Sequence, residues 1–411
     1  MPAGLREIRL RRVAVALACA TAIAPLVSIA AGQILLGLAV VALLVSGMGL
    51  RAPRAALPLA LFMAATLVSL AFSEDPAAGW PQIRKFYVFL TLPVVYTALA
   101  RSEYVTRLVL AWSATATASA LVAMGQFVWK WREARELGAP FYAYYVGERI
   151  TGFMSHWQTF GGEMMLVFLL LAAWVLFARP RGRSLYLALA AGAVLAAAIV
   201  LGFTRNIWLG SFAGGLYLLW FWKRRWIPAV PVVIAVVLAV GPDSLRDRVV
   251  SLVQPHGEVD SNQHRVVTFR TGIRMIEAHP LLGLGPEHVG VHFEEYVPDD
   301  VPRPLPEGWY GHLHNIYLHY AAERGIPAML LLVWFLVGAL RDFWRARRRA
   351  PEEERWYLHG ACAAVIAVMT SGMFELNLGD TEVLTMFLAI VACGYAWIES
   401  SRRVSGDEAD G

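Results

Sequence analysis

Apolar stretches long enough to cross a membrane follow one another along this chain and are separated by short polar connections. Since roughly twenty apolar residues span the hydrocarbon core of a bilayer, the pattern predicts about twelve transmembrane helices. The predicted spans lie near residues 13–31, 33–50, 57–72, 86–100, 105–129, 158–178, 184–202, 206–222, 227–241, 315–340, 356–375 and 380–398. The predicted fold is therefore an all-α integral membrane protein, with helices 1–9 in residues 1–241 and helices 10–12 in residues 315–398.

One long polar segment, residues 242–314, interrupts the apolar pattern. Within it, residues 262–279 carry apolar positions at helical spacing and predict an amphipathic helix. A helix of this kind beside a membrane can lie in the interface. The residues predicted on that face are Val266, Phe269, Ile273 and Ile276.

Arginine and lysine residues in the short connections predict the orientation. They concentrate in alternate connections and at both chain ends, for example at 51–54, 179–183 and 341–349. Because basic loops stay in the cytoplasm, we expect both termini there, including the polar tail at 399–411. The polar segment 242–314 is then expected on the outer side, so function should face outward.

Composition excludes several classes of protein. Hydrophobic residues make up 58% of the chain and charged residues only 16%, and the mean hydropathy is +0.52, which a soluble domain would not show. Cys19, Cys362 and Cys393 lie in apolar runs and indicate neither a disulfide framework nor a metal cluster. The sequence has no glycine-rich nucleotide loop, and we expect no nucleic acid partner.

Two arginines are candidates for binding an anion. Arg205 stands at an outward helix start, where free N–H groups already favour anions, with Thr204 as the expected cap. The alternative for Arg205 is an interfacial arginine in contact with lipid headgroups. Arg265 lies on the amphipathic helix near its apolar face, where a buried arginine needs an anion or a carboxylate, whereas Arg270 and Arg274 point to a wetter face.

The sequence GHLHNIYLHYAAERG contains the candidate catalytic residue, His314. Its place just before the helix that starts at Asn315 disfavours the imidazolium, so we expect a neutral histidine that can accept a proton from a hydroxyl. His312 and Asn315 are predicted to bind or orient substrate. The alternative for these residues is a purely structural role in the loop.

Metal chemistry is weakly supported, because His312 and His314 lack the spacing of zinc-binding helices and no pair of acids suits a divalent cation. We therefore predict no metal and no cofactor. Two arginines and a neutral histidine instead indicate binding of a diphosphate and activation of a hydroxyl, since the guanidinium fork suits phosphate oxygens. In a membrane-embedded site the donor would be a lipid diphosphate.

Four segments resemble the O-antigen ligase and polymerase superfamily of bacterial surface-polysaccharide glycosyltransferases. They are RITGFMSHWQTFGG at 149–162, TRNIWLG at 204–210, SNQHRVVTFRTGIRMIEAHPLLGLGP at 261–286 and HLHNIYLHYAAERGIPAMLLL at 312–332. The last segment is similar to the ligase pattern that begins at His314 and Asn315 and ends at Gly325.

The resemblance implies a GT-C-type fold in the bacterial inner membrane, with a periplasmic loop over the site. It implies transfer of a glycan from undecaprenyl diphosphate to a hydroxyl of lipid A–core oligosaccharide, without nucleotide or metal. Arg205 and Arg265 would bind the diphosphate, and His314 would be the general base. Other acceptors stay open, which would make the chain a polymerase or a protein O-oligosaccharyltransferase. A transporter of lipid-linked glycans is the alternative from another class, but the expected paired repeats are not evident.

Overall fold

The structure, a computed structural model, describes residues 3–99, 102–250, 261–305 and 311–407, with side chains for 8–99, 103–250, 264–305 and 311–401. This described part is helical and contains no β-strand. The helices in chain order are α1 (Ala3–Ile23), α2 (Ile29–Val45), α3 (Ala56–Ala71), α4 (Pro76–Arg84), α5 (Thr91–Ala98), α6 (Ser102–Glu136), α7 (Phe141–Gly147), α8 (Trp157–Ala173), α9 (Arg183–Leu201), α10 (Arg205–Lys223), α11 (Ala229–Val240), α12 (Asp243–Val250), α13 (Ser261–Ala278), α14 (His288–Val291), α15 (Phe293–Tyr296), α16 (Ile316–Arg349), α17 (Arg355–Ser371) and α18 (Thr381–Asp407).

Within the described residues, five helices are long and apolar enough to cross a membrane. They cover Glu103–Glu136, Trp157–Ala178, Arg183–Leu201, Ile316–Arg349 and Thr381–Ser401. Each coincides with a span predicted from the sequence, and three shorter apolar helices, Ile29–Val45, Ala56–Ala71 and Ala229–Val240, coincide with others. The all-helical fold is confirmed for the described residues and is consistent with a membrane protein, whereas the number of twelve spans and the GT-C arrangement stay predictions.

Two predicted boundaries differ from the structure. The first break comes at Ala24–Leu26, where Pro25 lies in a 3₁₀ turn, and α2 begins after Ser28 accepts a hydrogen bond from the Ala31 N–H. The predicted span near 86–100 divides into a 3₁₀ helix, Lys85–Leu90, and the short α5. Helix α5 alone is too short to cross a bilayer.

Helix α17 is buried along most of its length and packs closely against α10. A Cβ added at Gly210 would lie 2.9 Å from the Ala367 carbonyl oxygen, and one at Gly214 would lie 2.9 Å from the Ala363 carbonyl oxygen. Small residues allow such close helix contacts in membranes. The packing places the start of α10, at Arg205, on the same side as the end of α17.

Helix α16 is broken at Gly325, which has φ 85° and ψ 160°. Pro327 has no N–H. The Glu323 carbonyl therefore cannot accept the usual helical hydrogen bond from residue 327. The loop after α13 takes over, because Gly285 N–H donates to the Glu323 carbonyl (2.8 Å) and Leu284 N–H donates to the Ala322 carbonyl (2.9 Å). The loop between α13 and α14 is thereby fixed to α16.

Helix α13 confirms the predicted helix at 262–279, and the face that packs against the protein is not the predicted apolar face. Gly272 lets the helix approach α16 closely, since an added Cβ there would lie 2.7 Å from Leu318. The packed face consists of Val267, Thr268, Thr271 and Met275. The predicted apolar face is instead largely exposed, at 58% for Val266, 53% for Phe269 and 37% for Ile273.

Gly325→Ala is expected to destabilise the protein, because the residue has a positive φ and the added Cβ would lie 2.0 Å from the Leu281 carbonyl oxygen. The expected cost is about 1–3 kcal/mol or more. Gly338→Ala is the matched control in the same helix, since its nearest neighbour would be 3.7 Å away. Thermal unfolding in detergent measures both variants, and equal midpoints would contradict the role given to Gly325.

Candidate active site

His314 and Glu375 form the centre of the candidate site. His314 Nδ1 lies 3.1 Å from Oε1 and 3.2 Å from Oε2 of Glu375, although the two residues are 61 positions apart. Gln158 Nε2 donates to Glu375 Oε2 (2.8 Å), and the Leu376 N–H donates to Oε1 (3.1 Å). Glu375 was not identified from the sequence, because only the packing of α17 against the start of α16 brings it to His314.

Glu375 stays ionised despite its burial. Burial alone would raise the pKa of its carboxyl, but the hydrogen bond from His314 and the fields of His314 and His312 outweigh this and lower the pKa to about 2. A carboxylate that accepts from Nδ1 fixes the tautomer of the imidazole. Nε2 of His314 then carries the lone pair, as a general base requires.

The backbone around His314 explains the direction of its side chain. His314 has φ 48°, in the left-handed region, which a non-glycine residue adopts at a cost of roughly 1–3 kcal/mol. Asn315 follows as the N-cap of α16, where its Oδ1 accepts from the N–H groups of Tyr317 and Leu318 and its Nδ2 donates to the Met373 carbonyl. Asn315 thus holds the helix start, and substrate binding by it stays a prediction.

His312 lies beside His314, with 4.1 Å between the ring centres. Its Nδ1 accepts a hydrogen bond from the His314 N–H (3.3 Å), so this nitrogen is unprotonated. Burial lowers the pKa of His312 to about 4, and His312 is therefore neutral at pH 7. The structure brings the two predicted histidines together around Glu375.

Arg205 begins α10 and is 4% exposed. The next residue, Asn206, donates from Nδ2 to Gln158 Oε1 (3.2 Å), and Gln158 in turn donates to Glu375. The start of α10 is therefore joined to the His314–Glu375 pair by a chain of hydrogen bonds. The expected side-chain cap by Thr204 is wrong, because its hydroxyl donates back to the Gly202 carbonyl (2.8 Å).

Arg265 lies on α13 at the border between its packed and exposed faces. Burial lowers the pKa of Arg265, while the nearby Glu375 raises it and Arg248 lowers it. Arg265 therefore lies close enough to Glu375 to interact with its negative charge. By contrast, Arg270 and Arg274 are exposed and pair with Asp300 and Asp299, as their predicted solvated positions imply.

Two further arginines, which were not predicted from the sequence, lie near Arg205 and Arg265. Arg248 of α12 is 6% exposed, and its Nε donates to the Phe203 carbonyl (2.8 Å), two residues before Arg205. Arg149 lies over the Trp157 ring at 5.0 Å. Burial, followed by repulsion from Arg248 and Arg205, lowers the pKa of Arg149 to about 9. We call Arg149, Arg205, Arg248 and Arg265 the arginine cluster.

A cavity of about 230 Å³ lies beside Glu375. Its lining includes His156, Gln158, Asn206, His312 and Glu375. These side chains offer both hydrogen-bond donors and acceptors. The cavity gives a polar ligand access to the group around Glu375.

His312, His314 and Glu375 could also hold a metal ion, since ligand atoms of the three residues lie within 4.8 Å of one another. Two imidazoles and a carboxylate are a known donor set for divalent metals. A metal at His314 Nδ1 would have to replace its hydrogen bond to Glu375. These three residues can therefore form either a hydrogen-bonded general base or a metal site.

Comparison with known families gives a match over residues 190–333, to the family described as O-antigen ligase. Comparison with curated proteins gives no match. The matched segment contains Arg205, Arg248, Arg265 and His314, but not Arg149 or Glu375. Enzymes of this family are glycosyltransferase-like and act on lipid-linked glycans. Residues 190–333 are thus similar to the O-antigen ligase family, which supports the resemblance to the O-antigen ligase and polymerase superfamily.

Proposed function

We propose that this protein is an O-antigen ligase of the bacterial inner membrane, with its site on the periplasmic side and both termini in the cytoplasm. It transfers a polysaccharide from undecaprenyl diphosphate to a hydroxyl of lipid A–core oligosaccharide, with inversion and without a metal. One observation carries the proposal, the His314–Glu375 hydrogen bond beside the arginine cluster. This arrangement places a candidate general base, His314, near side chains that can bind an anion.

His314 removes the proton from the acceptor hydroxyl. Nδ1 donates to Glu375, and Nε2 receives the proton as the acceptor oxygen forms a bond to the anomeric carbon of the donor. Glu375 stabilises the imidazolium that results, in the same way that a carboxylate assists the histidine of a hydrolase triad. The bond between the anomeric carbon and the diphosphate oxygen breaks, and its electron pair leaves with the diphosphate.

The arginine cluster stabilises the leaving diphosphate. Arg205 and Arg265 are the direct ligands in this proposal. Arg265 lies in the field of Glu375, and Arg205 is followed by Asn206, whose side chain is hydrogen-bonded to Glu375 through Gln158. Arg149 and Arg248 add positive charge where burial keeps water from screening it. Donors arranged before the reaction are effective because charge develops on the leaving group without rearrangement.

The choice of acceptor separates the closest alternatives. A polymerase would use the same base and the same diphosphate site, with the end of a second glycan as acceptor, and a protein O-oligosaccharyltransferase would use a protein hydroxyl. Purified protein incubated with undecaprenyl diphosphate-linked polysaccharide and lipid A–core distinguishes them. A shifted lipopolysaccharide band supports the ligase, whereas longer donor chains support the polymerase, and movement of intact donor across proteoliposomes supports a transporter.

His314→Ala is expected to reduce transfer by about 10²–10⁴-fold, because it removes the general base. Glu375→Gln should reduce the rate at least about 100-fold, since the negative charge that stabilises the imidazolium is lost. Glu295→Gln is the matched control, because Glu295 is exposed and pairs with His292 (3.1 Å) outside the site. Normal transfer by His314→Ala would refute the base assignment.

The pH profile provides a second check on Glu375. The pKa of the Glu375 carboxyl is about 2. The negative charge of its carboxylate is therefore fully present above the ordinary carboxyl range and is lost only as the pH falls toward 2. The carboxyl of Glu375 should therefore stay ionised at pH 4, where an ordinary glutamate carboxyl is more than half protonated. The infrared difference spectrum between the wild type and Glu375→Gln measures this, because the variant lacks the carboxylate band of Glu375. A Glu375 carboxyl that is protonated at pH 4 would contradict the pairing.

Arg265→Lys should reduce transfer about 10–1,000-fold although it keeps the charge, because the planar fork that binds phosphate oxygens is lost. Arg270→Lys is the control on the same helix, where the side chain is exposed and paired with Asp300. Initial rates at saturating acceptor measure both variants. Equal rates for Arg265→Lys and the wild type would show that Arg265 supplies only a general positive field.

Treatment with a chelator distinguishes a general base at His314 from a metal site at His312, His314 and Glu375. We expect full activity in EDTA, because His314 uses Nδ1 to bind Glu375 and Nε2 to accept the proton. Activity that is lost in EDTA and restored by a divalent ion would favour the metal site of His312, His314 and Glu375 instead.

A further inference from the structure

The last turn of α16 carries a buried arginine that the proposed reaction does not use. Arg347 is only 9% exposed, although it lies two residues from the end of the helix. From Ile316 to Arg347 the helix rises by roughly 45 Å along its path, more than the roughly 30 Å of a bilayer's hydrocarbon core. Arg347 therefore lies at the opposite end of α16 from His314, too far away to share its ligand.

Two aromatic rings, and no carboxylate of the described residues, are in contact with the guanidinium of Arg347. Its central carbon lies 4.1 Å from the ring centre of Phe221 on α10 and 4.6 Å from that of Trp344. Nε is enclosed without a hydrogen-bond partner. The two terminal nitrogens reach the surface, and they likewise have no hydrogen bond or ion pair within the described part of the chain.

A buried cation without a counter-ion is unfavourable. Contacts with ring faces stabilise an arginine, but they offset only part of the cost of removing its charge from water. The carbonyl groups at the end of a helix stabilise a cation only modestly. An anion at the two terminal nitrogens of Arg347 would supply the missing partner, and the planar fork of a guanidinium suits two phosphate oxygens.

The surroundings of Arg347 indicate that this anion belongs to a lipid. Trp220 and Trp226 are 55% and 51% exposed, and tryptophan is enriched where a membrane meets water. The bases at 223–225 follow Phe221 closely along the chain, are exposed, and form no ion pair with the described residues. Basic residues clustered beside a transmembrane helix attract the headgroups of anionic lipids.

We propose that Arg347 binds the phosphate of an anionic phospholipid where the end of α16 meets the end of α10. The guanidinium donates to two phosphate oxygens, Phe221 and Trp344 hold it in position, and the bases at 223–225 attract the negative headgroup. This site does not depend on the proposed function. The lipid would contact the far ends of the two helices whose starts carry Arg205 and follow His314.

Titration of phosphatidylglycerol into the purified full chain, followed by native mass spectrometry, tests this site. Arg347→Gln should weaken binding of the first phosphatidylglycerol about tenfold or more, because charge-assisted hydrogen bonds to the phosphate are lost. Arg345→Gln is the matched control, because Arg345 is exposed, lies two residues away in the same helix and carries the same charge. The control should bind with the affinity of the wild type.

Equal weakening in Arg347→Gln and Arg345→Gln would overturn the proposal, because it would show only a general attraction between basic residues and anionic lipid. If Arg347→Gln fails to fold, Arg347→Lys provides the comparison. This variant keeps the charge but lacks the planar fork, so it should still bind phosphatidylglycerol more weakly than the wild type. Binding by Arg347→Lys as tight as that of the wild type would refute the contact with two phosphate oxygens.

Thermal unfolding of the wild type distinguishes a lipid from a soluble anion and needs no variant. Phosphatidylglycerol should raise the unfolding midpoint, because it binds the folded protein, whereas phosphatidylcholine and inorganic phosphate should not. A rise with inorganic phosphate alone would assign Arg347 to a soluble anion and overturn the lipid site. An unchanged midpoint with phosphatidylglycerol would also overturn it.

Discussion

The break in α16 is the constraint on which the candidate site depends. A helix interrupted by Gly325 and Pro327 leaves backbone groups without helical partners, and in a membrane protein each must be satisfied within the protein. The Glu323 carbonyl receives the Gly285 N–H, and the Ile326 N–H donates to the Pro280 carbonyl. The loop between α13 and α14 is thus hydrogen-bonded to a transmembrane helix on both sides of the break. This connection aligns α13 on α16, and Arg265 with it, beside the helix start that carries His314.

Charge is distributed in the site so that binding of an anion is favoured before any reaction occurs. Burial and mutual repulsion disfavour the charged form of Arg149, whose pKa of about 9 still leaves it protonated at pH 7. Glu375 supplies negative charge near Arg265, but it is also engaged by His314, Gln158 and the Leu376 N–H. A bound diphosphate would reduce the repulsion within the arginine cluster and raise the pKa of Arg149 again. Part of the free energy of binding such an anion would therefore come from a folded structure that already holds like charges together.

The sequence predicts some parts of the site and not others, for identifiable reasons. His314 could be found because a histidine beside a helix start has a local signature, and Arg205 because helix starts attract anions. Arg265 could be singled out because it lies beside the apolar positions of its helix, and its role in binding stays a prediction. Apolar residues on α13 face outward, since the contact with α16 uses small residues such as Gly272. Glu375 has no such signature, because its role arises from the packing of helices that are distant in sequence.

His312 lines two cavities, one of about 230 Å³ and one of about 400 Å³, whose charged surroundings differ. The smaller cavity is lined by Glu375, which lies in the field of Arg265 and is joined through Gln158 to Asn206 at the start of α10. The lining of the larger cavity contains two acids and two bases, Glu287, Glu323, Lys85 and Arg324. His312 is neutral at pH 7 and adds charge to neither cavity. The excess positive charge of this region is therefore found at the arginine cluster and not in the larger cavity.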